Sequence, residues 1–334
     1  MIKESCVRKI LLKNHQSPGD IIMLTSAVRD LKAAQPTWSI GVDTVAMDIW
    51  DNNPHITKML DNTDVEIIKV EYPLIHKSNE YPYHFIHAFR MFLEDHFQIK
   101  IPQGKFKGDI HLSDQECGWM SQVEELGISD PYWIIMAGGK YDFTAKWWDP
   151  REYQKVVDHF KGKMLFVQCG EKNHFHPKLK GVVDLIGKTN IRQFIRLMYH
   201  SSGVVCPVTF AMHLATAVPM KPGSVFRANR PAVVLAGGRE PAQWEAYPHH
   251  RFLSNNGFLP CCDNGGCWKS RCTKVGDRDE KDEKSLCLYP IKLSLEILLP
   301  QQTEKQNLYI PRCMEVIKAR HVIEAIESYY PDGI

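Results

Sequence analysis

Asp20 is the first residue of this chain whose type and position could do acid–base chemistry. It follows a predicted buried strand, RKILLKN, and a glycine-containing turn, and it lies where the next predicted helix begins. The dipole and free amides of a helix N-terminus favour an ionised carboxylate, and an ionised carboxylate can accept a proton. Most aspartates at such positions only cap the helix, and spacing alone favours that alternative. The residue type and position therefore leave both roles open.

A candidate anion site lies in the second half of the chain. Lys146 is in a loop after a predicted strand, YWIIMAGG, on the side of a doubly wound sheet where ligands bind. Residues 209–214 predict a helix N-terminus, whose backbone amides could bind phosphate oxygens, with Thr209 and His213 as side-chain donors. The alternatives are a solvated surface lysine at position 146 and a buried structural histidine at position 213.

Cysteines concentrate near the C-terminus and predict a metal site. Five of the ten cysteines lie within residues 261–287, in an insertion with few apolar residues. Thiolates gathered by a glycine-rich turn can form a tetrahedral site around zinc or iron, although the spacing from Cys267 to Cys272 is not that of a zinc knuckle. Cys261 is an alternative to Cys262, and free thiols are the alternative to a metal. We predict a structural iron or zinc site formed by Cys262, Cys267, Cys287 and Cys313.

The segments that must position these residues alternate between strands and helices. In the first half the predicted strands are RKILLKN, WSIGVDT and VEIIKVEY, and the predicted helices are IIMLTSAVRDLKAAQP, one ending near residues 52–56, and YHFIHAFRMFLEDHF. In the second half the strands are YWIIMAGG, KMLFVQCG, VVDLIGK, GVVCPV and PAVVLAGG, and the helices are DPREYQKVVDHF, NIRQFIRLMYHSS and TFAMHLATAV. This alternation predicts an α/β protein with parallel sheets.

The length of 334 residues and a restart of the strand–helix pattern predict two domains. We place the boundary near Gly127, which gives an N-terminal Rossmann-like domain at 1–127 and a second at 128–310. The second domain contains the cysteine-rich insertion at 255–290, and residues 311–334 include a predicted C-terminal amphipathic helix, MEVIKARHVIEAIESYY. Two such domains would face each other across a cleft.

Composition excludes several functional classes. Lys and Arg exceed Asp and Glu by only 41 to 39, so no overall charge draws the chain to nucleic acid.

The apolar run of the opening segment is too short for a signal peptide, and nothing later is long enough to span a membrane, so we expect a cytoplasmic protein. Neither half has a GxGxxG motif after its first strand, so no NAD is expected. The DRD at residues 277–279 lies among mixed charges and indicates a solvated loop.

Three stretches, in order, resemble glycosyltransferase family nine, the ADP-heptose lipopolysaccharide heptosyltransferases. They are GDIIMLTSAVRDLKAAQP, AGGKYDFTAKWWDPREYQKVV, and VDLIGKTNIRQFIRLMYHSSGVV continuing into AMHLATAV. The resemblance covers nearly the whole chain except the cysteine-rich insertion. It implies a GT-B fold of two Rossmann-like domains and an inverting transfer of a sugar from a nucleotide diphosphate donor, ADP-heptose first, to a saccharide or protein hydroxyl.

The resemblance also assigns roles to residues. It makes Asp20 the general base and places Lys146 against the diphosphate, where a cation stabilises the departing group. Arg239 and Trp244, after the last strong strand, are candidates for the base pocket. The remaining predicted donor-binding residues are Gly19, Glu171, Thr209, Met212 and His213.

The chain departs from the family pattern at two positions next to Thr209. The family usually has an Asp before the Ser or Thr and a Gly after it, and this chain has Val208 and Phe210. These departures support an alternative function, a non-catalytic GT-B protein for sugar-nucleotide binding or assembly. An epimerase-like enzyme acting on nucleotide sugars is a third possibility.

The cysteine-rich insertion resembles that of autotransporter heptosyltransferases, which carry a cysteine-bound iron. The resemblance therefore supports a metal with a structural role. The sequence is also compatible with a homo-oligomer.

Overall fold

The computed structural model describes residues 8–57, 64–72, 77–226, 228–299 and 303–334. Within these residues the predicted α/β fold with parallel sheets is confirmed. All strand pairs in the two larger sheets are parallel, and the remaining sheet is an antiparallel hairpin. None of the described helices is long and apolar enough to cross a membrane.

The first sheet has the strand order β2-β1-β3 in the described part of the chain. Its strands are β1 (Lys9–Asn14), β2 (Ser39–Thr44) and β3 (Glu66–Lys69). Helix α1 (Pro18–Ala34) connects β1 to β2 and begins with a proline, whose fixed φ suits the first helical turn. Most of α1 is buried because it packs against the first sheet on one side and a helix of the second half on the other.

The second sheet contains six described strands in the order β6-β5-β4-β7-β8-β9. The strands are β4 (Tyr132–Ile135), β5 (Leu165–Gln168), β6 (Val183–Asp184), β7 (Gly203–Pro207), β8 (Ala232–Gly237) and β9 (Arg251–Ser254). The strand order reverses between β4 and β7. In such sheets the crevice at the carboxyl ends of those two strands is where ligands bind.

The described helices that follow α1 vary from one turn to three. They are α2 (Ala88–Phe97), α3 (Asp114–Cys117), α4 (Pro150–His159), α5 (Ile191–His200), α6 (Phe210–Ala217), α7 (Ala242–Glu245), α8 (Arg312–Glu315) and α9 (Ala319–Glu327). Short 3-10 helices occupy Met47–Trp50, Phe85–His87, Glu124–Leu126, Tyr141–Lys146, Pro260–Cys262 and Glu280–Asp282. The helix predicted to end near residues 52–56 is therefore only the first of these short turns.

The predicted C-terminal helix is wrong as a single helix, because it is two. Helices α8 and α9 are separated at residues 316–318, where Lys318 has an extended backbone. Trp148 Nε1 donates to the carbonyl of Ile317 at 2.8 Å, and the amide of Ala319 donates to Glu152 Oε2 at 2.7 Å. These side chains bind backbone groups that a continuous helix would use, so long-range contacts override the local helical pattern.

The last two strands were absent from the sequence-based prediction. Strands β10 (Pro290–Ile297) and β11 (Gln306–Pro311) form an antiparallel hairpin with an irregular register after Lys292. Its apolar face packs on Trp147, which is fully buried. Trp147 and the equally buried Trp148 are therefore core residues.

One apolar core continues from the first sheet through α1 and α6 into the second sheet. Gly127 lies in a turn with φ of +78°, a conformation that favours glycine, between the two halves. The proposed division into 1–127, 128–310 and 311–334 stays a prediction.

Arg230 connects two helix ends inside the second half. Its guanidinium is buried and donates to carbonyls at the ends of α5 and α6, at distances of 2.9 to 3.4 Å. Those carbonyls belong to Tyr199, Ser201, Ala215, Val218 and Pro219. A cation is favourable there because the last carbonyls of a helix lack intrahelical partners and carry the negative end of its dipole.

We predict that Arg230→Met lowers the free energy of unfolding by about 3 kcal/mol or more, since several buried carbonyls lose their donor at once. Urea denaturation followed by circular dichroism measures the change. The matched control is Arg251→Met, which removes an exposed arginine that contacts Ser328 and Tyr329. We expect the control to cost less than about 1 kcal/mol. Equal losses for the two variants would contradict the role of Arg230.

Candidate functional site

The N-termini of α1 and α6 meet where the two sheets face each other. A Cβ atom built on Gly19 would lie 3.2 Å from His213 Cδ2 and 3.7 Å from the Cα of Phe210. Only a residue without a side chain allows this approach without a shift of the imidazole. The structure thus brings Gly19, predicted from the sequence, directly against the helix that carries Thr209 and His213.

Asp20 lies in the first turn of α1 at this junction. The hydroxyl of Tyr72 donates to Asp20 Oδ1 at 2.8 Å. Burial raises the pKa of Asp20, while the Tyr72 bond, backbone groups at Ser17 and the Lys146 cation act in the opposite direction. The carboxylate therefore has the hydrogen bonds expected at the start of a helix, and the Lys146 cation of the other half of the chain also contributes to its electrostatic environment.

Tyr72 is a site residue that the sequence analysis missed. It follows β3, stacks on Phe89 with ring centroids 4.1 Å apart, and is held so that its hydroxyl reaches Asp20. Burial raises the pKa of Tyr72 well above its usual value, and the neighbouring Asp20 adds to the effect. Tyr72 is thus a neutral donor. Its place at the carboxyl end of a strand was the available signal.

Lys146 is not a solvated surface lysine. Its Nζ donates to the carbonyl of Val208 at 2.9 Å and pairs with Glu240 Oε1 at 2.7 Å. The short 3-10 helix Tyr141–Lys146 and the loop before α6 fix its position. The ammonium therefore lies next to the start of α6, where an anion would be expected.

Glu240 was also missed, although it directly follows Arg239, which was predicted. Its side chain is 1% exposed and pairs with both Lys146 and Arg239. Burial acts to raise the pKa of Glu240, but Arg239 and Lys146 outweigh it and lower the pKa. Glu240 is thus an ionised carboxylate that holds two cations.

Glu245 is a second missed carboxylate, at the end of α7. Burial raises its pKa well above the usual value, and Glu240 and Asp20 add to the effect. Its Oε2 lies 3.6 Å from His213 Nε2 and has no hydrogen-bond partner in the described part of the chain. Glu245 is thus kept protonated beside two other carboxyl groups.

His213 is a buried, neutral histidine at the junction. Its Nδ1 lies 3.1 Å from the hydroxyl of Tyr247. Burial lowers the pKa of His213 well below its usual value, and His84 and Lys146 lower it further. His213 can therefore donate or accept a hydrogen bond at neutral pH but supplies no positive charge.

The start of α6 offers backbone donors. Thr209 is its N-cap residue, but the hydroxyl bonds to the carbonyl of Pro207 at 3.2 Å and caps no amide. The first amides of α6, at Phe210 and Ala211, therefore receive no acceptor from Thr209. The side chain of Met212 is fully buried in the core, and its amide bonds to the carbonyl of Thr209 at 3.1 Å. Met212 is thus a packing residue here and not an exposed contact.

Arg239 and Trp244, both predicted for the base pocket, pack against other side chains next to the site. The guanidinium of Arg239 lies over the rings of Phe143 and Trp268, at 5.0 and 5.4 Å from their centroids. Its Nε donates to the carbonyl of Lys269 at 2.7 Å. Trp244 is buried and stacks on Phe85. Arg239 thus acts on the site through Glu240, and Trp244 is core packing.

Glu171 is the predicted residue that the structure does not bring to this group. It lies in the loop after β5, its side chain is 65% exposed, and it pairs with His174 in the same loop at 3.6 Å. Among the described residues it makes no contact with Asp20 or Lys146.

Four cysteines line one small cavity, between the insertion and α8. They are Cys261, Cys267, Cys287 and Cys313. Cys262 is not among them, because its thiol is directed to the carbonyl of Asn255 at 3.6 Å and lies against Gly238. The structure therefore favours Cys261 over the predicted Cys262, and it leaves the other three predicted ligands together.

The cavity has the donors for a thiolate-bound metal, but in an open arrangement. Its lining has four cysteines and no carboxylate, which suits zinc or iron. Among the described residues no three cysteine sulfurs lie within 4.8 Å of one another. Tetrahedral bonds of about 2.3 Å would place the sulfurs about 3.8 Å apart, so binding requires them to move inward.

The hydrogen bond from Cys272 lowers the pKa of Cys287 to about 7, while burial raises the pKa of Cys261 and Cys313 to about 12.

The DRD segment is part of an ion-pair network and not simply solvated. Arg271 is fully buried, and its guanidinium donates to both oxygens of Asp277 at 2.8 and 2.9 Å. Asp279 and Asp282 also pair with Arg271. The acidic groups therefore compensate a buried cation of the insertion.

A cluster of buried and partly buried histidines surrounds Tyr247 beside His213. The ring centroids of His84 and His250 lie 4.8 and 5.1 Å from that of Tyr247, and His249 stacks edge-on against His250 at 4.5 Å. Burial lowers the pKa of His84 to about 3 and that of His249 to about 4. These residues are neutral in the folded protein at neutral pH.

Comparison with known families gives one match over half of the chain. A family model described as glycosyltransferase family 9 (heptosyltransferase) matches residues 71–241. No curated protein matches the chain at a significant level of sequence similarity.

Comparison with solved structures gives matches over most of the chain. The ADP-heptose LPS heptosyltransferase II of E. coli has a TM-score of 0.58 and 16% identity, over 96% of this chain and 98% of that one. The iron-containing dodecameric glycosyltransferase TibC of enterotoxigenic E. coli has a TM-score of 0.61 and 15% identity, over 96% of this chain and 76% of TibC. A family 9 glycosyl transferase of Veillonella parvula has a TM-score of 0.55 and 14% identity, over 74% of this chain and 86% of that one. At these identities the likeness establishes the fold.

The buried histidines predict a loss of stability in acid. Their folded-state pKa values lie below the ordinary value of 6.5, so the unfolded chain binds protons that the folded chain does not. The stability is fully present above pH 6.5 and falls as the pH decreases toward 4, by up to about 1.4 kcal/mol per pH unit for each histidine. In His84→Asn, which keeps an acceptor for the amide of Ile86, we expect a shallower fall.

Chemical denaturation of the wild type and His84→Asn across this pH range measures the difference. The control is His159→Asn, which removes an exposed histidine paired with Glu327. Parallel pH curves for the wild type and His84→Asn would contradict the assignment of His84 as a neutral buried group.

Proposed function

Because the chain belongs to glycosyltransferase family 9, we propose that it transfers heptose from ADP-heptose, with inversion, to a hydroxyl of a saccharide or protein. The observation that carries the proposal is the junction of α1 and α6. There Asp20, in the first turn of α1, lies near enough to Lys146 of the second half for that cation to contribute to lowering the pKa of Asp20. A base and a diphosphate-binding cation are the two groups that such a transfer needs on opposite sides of the reacting carbon.

The donor diphosphate is proposed to bind at the start of α6. The amides of Phe210 and Ala211, the positive end of the helix dipole and the ammonium of Lys146 would bind its oxygens. ADP-D-beta-D-heptose is the ligand in a structure of TibC, which has the same fold. That ligand supports the choice of donor.

Asp20 is proposed to take the proton of the acceptor. As the acceptor oxygen bonds to the anomeric carbon, its proton passes to the Asp20 carboxylate and the sugar–phosphate bond breaks. Burial, which raises the pKa of Asp20, makes the carboxylate a stronger base. The Tyr72 bond fixes the orientation of the carboxyl group.

Lys146 is proposed to stabilise the leaving diphosphate. The negative charge on the diphosphate increases as the bond to the sugar breaks, so a fixed cation lowers the barrier more than it strengthens binding. Glu240 and the carbonyl of Val208 hold Lys146 in place. The family usually has an Asp at the position of Val208. In this chain Glu240 places a buried carboxylate near that position.

The cysteine cavity is proposed to hold a structural metal. Cys261, Cys267, Cys287 and Cys313 would bind iron or zinc, and the ion would tie the insertion to α8. A bound cation would lower the pKa of the buried thiols and so maintain them as thiolates. TibC is iron-containing and dodecameric. For this chain the choice of metal, a homo-oligomer and a cytoplasmic location stay predictions.

We expect Asp20→Asn to lower kcat by about 100-fold or more, because the amide cannot accept the proton, with little change in donor binding. ADP release from ADP-heptose, measured with and without candidate acceptors, gives kcat and KM. Asp43→Asn is the matched control, since Asp43 pairs with Lys13 at the surface. Turnover of the variant at the wild-type rate would reject Asp20 as the base.

The same assay separates the alternatives. A wild-type protein that binds nucleotide but turns over no donor would be a binding or assembly protein. A change of the donor sugar without any acceptor would instead identify an epimerase.

The adjacent cysteines provide a matched pair for the metal. We expect Cys261→Ser to lose most of the bound iron or zinc and Cys262→Ser to retain it, because only Cys261 lines the cavity. Elemental analysis of the purified proteins measures the metal content per chain. Retention in both variants, or loss only from Cys262→Ser, would reject this ligand set.

A further inference from the structure

Two histidines and an aspartate outside the proposed active site point three ligand atoms at one another. His55 Nε2 lies 3.3 Å from Asp109 Oδ2, and His111 Nε2 lies 2.7 Å from the same oxygen. All three atoms are within 4.8 Å of one another. Two imidazole nitrogens and one carboxylate oxygen are a ligand set that zinc and similar divalent ions use in proteins.

The spacing suits one ion without a large rearrangement. Ligand bonds of about 2.0 to 2.1 Å in a tetrahedral site place neighbouring ligand atoms about 3.3 Å apart. The two separations from Asp109 Oδ2 are 3.3 and 2.7 Å, and the two histidine nitrogens lie within 4.8 Å of each other, so all three distances are near the value that an ion requires. By contrast, no three cysteine sulfurs in the described part of the chain lie within 4.8 Å of one another.

The backbone on both sides of this cluster is fixed by side-chain hydrogen bonds. The amide of His55 donates to Asn53 Oδ1 at 2.9 Å, and the amide of Asp109 donates to Thr25 Oγ1 at 2.8 Å. Arg192 of α5 donates to the carbonyl of His111 at 2.7 Å. The three ligand atoms are thus positioned by residues of both halves of the chain.

The two oxygens of Asp109 face different partners. Oδ2 faces the histidines, while Oδ1 lies 3.8 Å from Arg29. Arg29 is bound mainly elsewhere, by Asp30 and by the carbonyls of Lys105 and Lys107. One carboxylate oxygen therefore remains for an ion.

Solvent reaches the cluster. The side chains of His55, Asp109 and His111 are 27%, 15% and 31% exposed. A water molecule could therefore complete the coordination, as in zinc sites with three protein ligands.

We propose that His55, Asp109 and His111, in the first half of the chain next to Arg192 of α5, bind one divalent ion of the zinc class. This site is separate from the cysteine cavity and does not depend on the proposed sugar transfer.

Cobalt(II) is the probe that separates the two sites. Cobalt bound by nitrogen and oxygen gives visible d–d absorption, while cobalt bound by cysteine also gives thiolate-to-metal charge transfer in the near ultraviolet. The full-length wild type is titrated with cobalt(II), together with His55→Gln, His111→Gln and the control His159→Gln. His159 pairs with a single carboxylate at the surface, so it tests for unspecific histidine binding.

We expect one nitrogen- and oxygen-bound cobalt per chain in the wild type and the control. In His55→Gln and His111→Gln the affinity of this site falls at least about tenfold, since even loss of an outer-shell partner costs that much, with the charge-transfer band unchanged. Equal cobalt binding in all four proteins, or no cobalt bound by the wild type beyond that accounted for by the charge-transfer band, would overturn the proposal.

A second measurement does not need the variants to fold. X-ray absorption of cobalt-loaded wild-type protein, with the cysteines blocked by alkylation, shows the first coordination shell directly. A shell of nitrogen and oxygen with imidazole scattering supports the site. A shell of water oxygens without imidazole overturns it.

Discussion

The close approach of two helix N-termini governs the arrangement of the site. Each N-terminus carries a partial positive charge and free amides, so two of them in contact repel unless negative charge lies between them. Gly19 allows the approach because it has no side chain in the space that His213 occupies. Asp20 and Glu240 then supply carboxylates around the junction. The positive potential that these carboxylates balance would also attract a diphosphate.

The two cations at this junction pair with Glu240 and not with Glu245, and this difference explains the protonation states of the carboxyl groups. Lys146 and Arg239 can balance one buried carboxylate well, and the geometry gives them to Glu240. Glu245 has no cation of its own and takes up a proton, while Asp20 remains partly stabilised by Tyr72 and the start of α1. His213 cannot help because burial keeps it neutral. An arriving diphosphate would raise the pKa of Asp20 further, so donor binding would strengthen the proposed base.

Local sequence patterns were enough for the regular elements but not for features made by distant contacts. The eight predicted strands appear because each is a short apolar run bounded by turn residues. The hairpin β10–β11 depends on covering Trp147, and the break between α8 and α9 depends on Trp148 and Glu152, which lie far away in the sequence. Asp20 and Lys146 could be predicted from motifs, whereas Glu240, Glu245 and Tyr72 matter only through their partners. Of the neighbouring Cys261 and Cys262, no sequence pattern tells which thiol faces the cavity.

One connection between the insertion and the site runs through Arg239. Arg239 lies at the cysteine cavity, beneath the ring of Trp268 and bonded to the carbonyl of Lys269, and it pairs with Glu240. Glu240 in turn holds Lys146. If the insertion were disordered, Arg239 would lose two of its contacts and Glu240 would keep only Lys146 as a fixed partner. The proposed metal would therefore act on the proposed sugar transfer without contacting the substrate, by fixing the residues that orient the Lys146 ammonium.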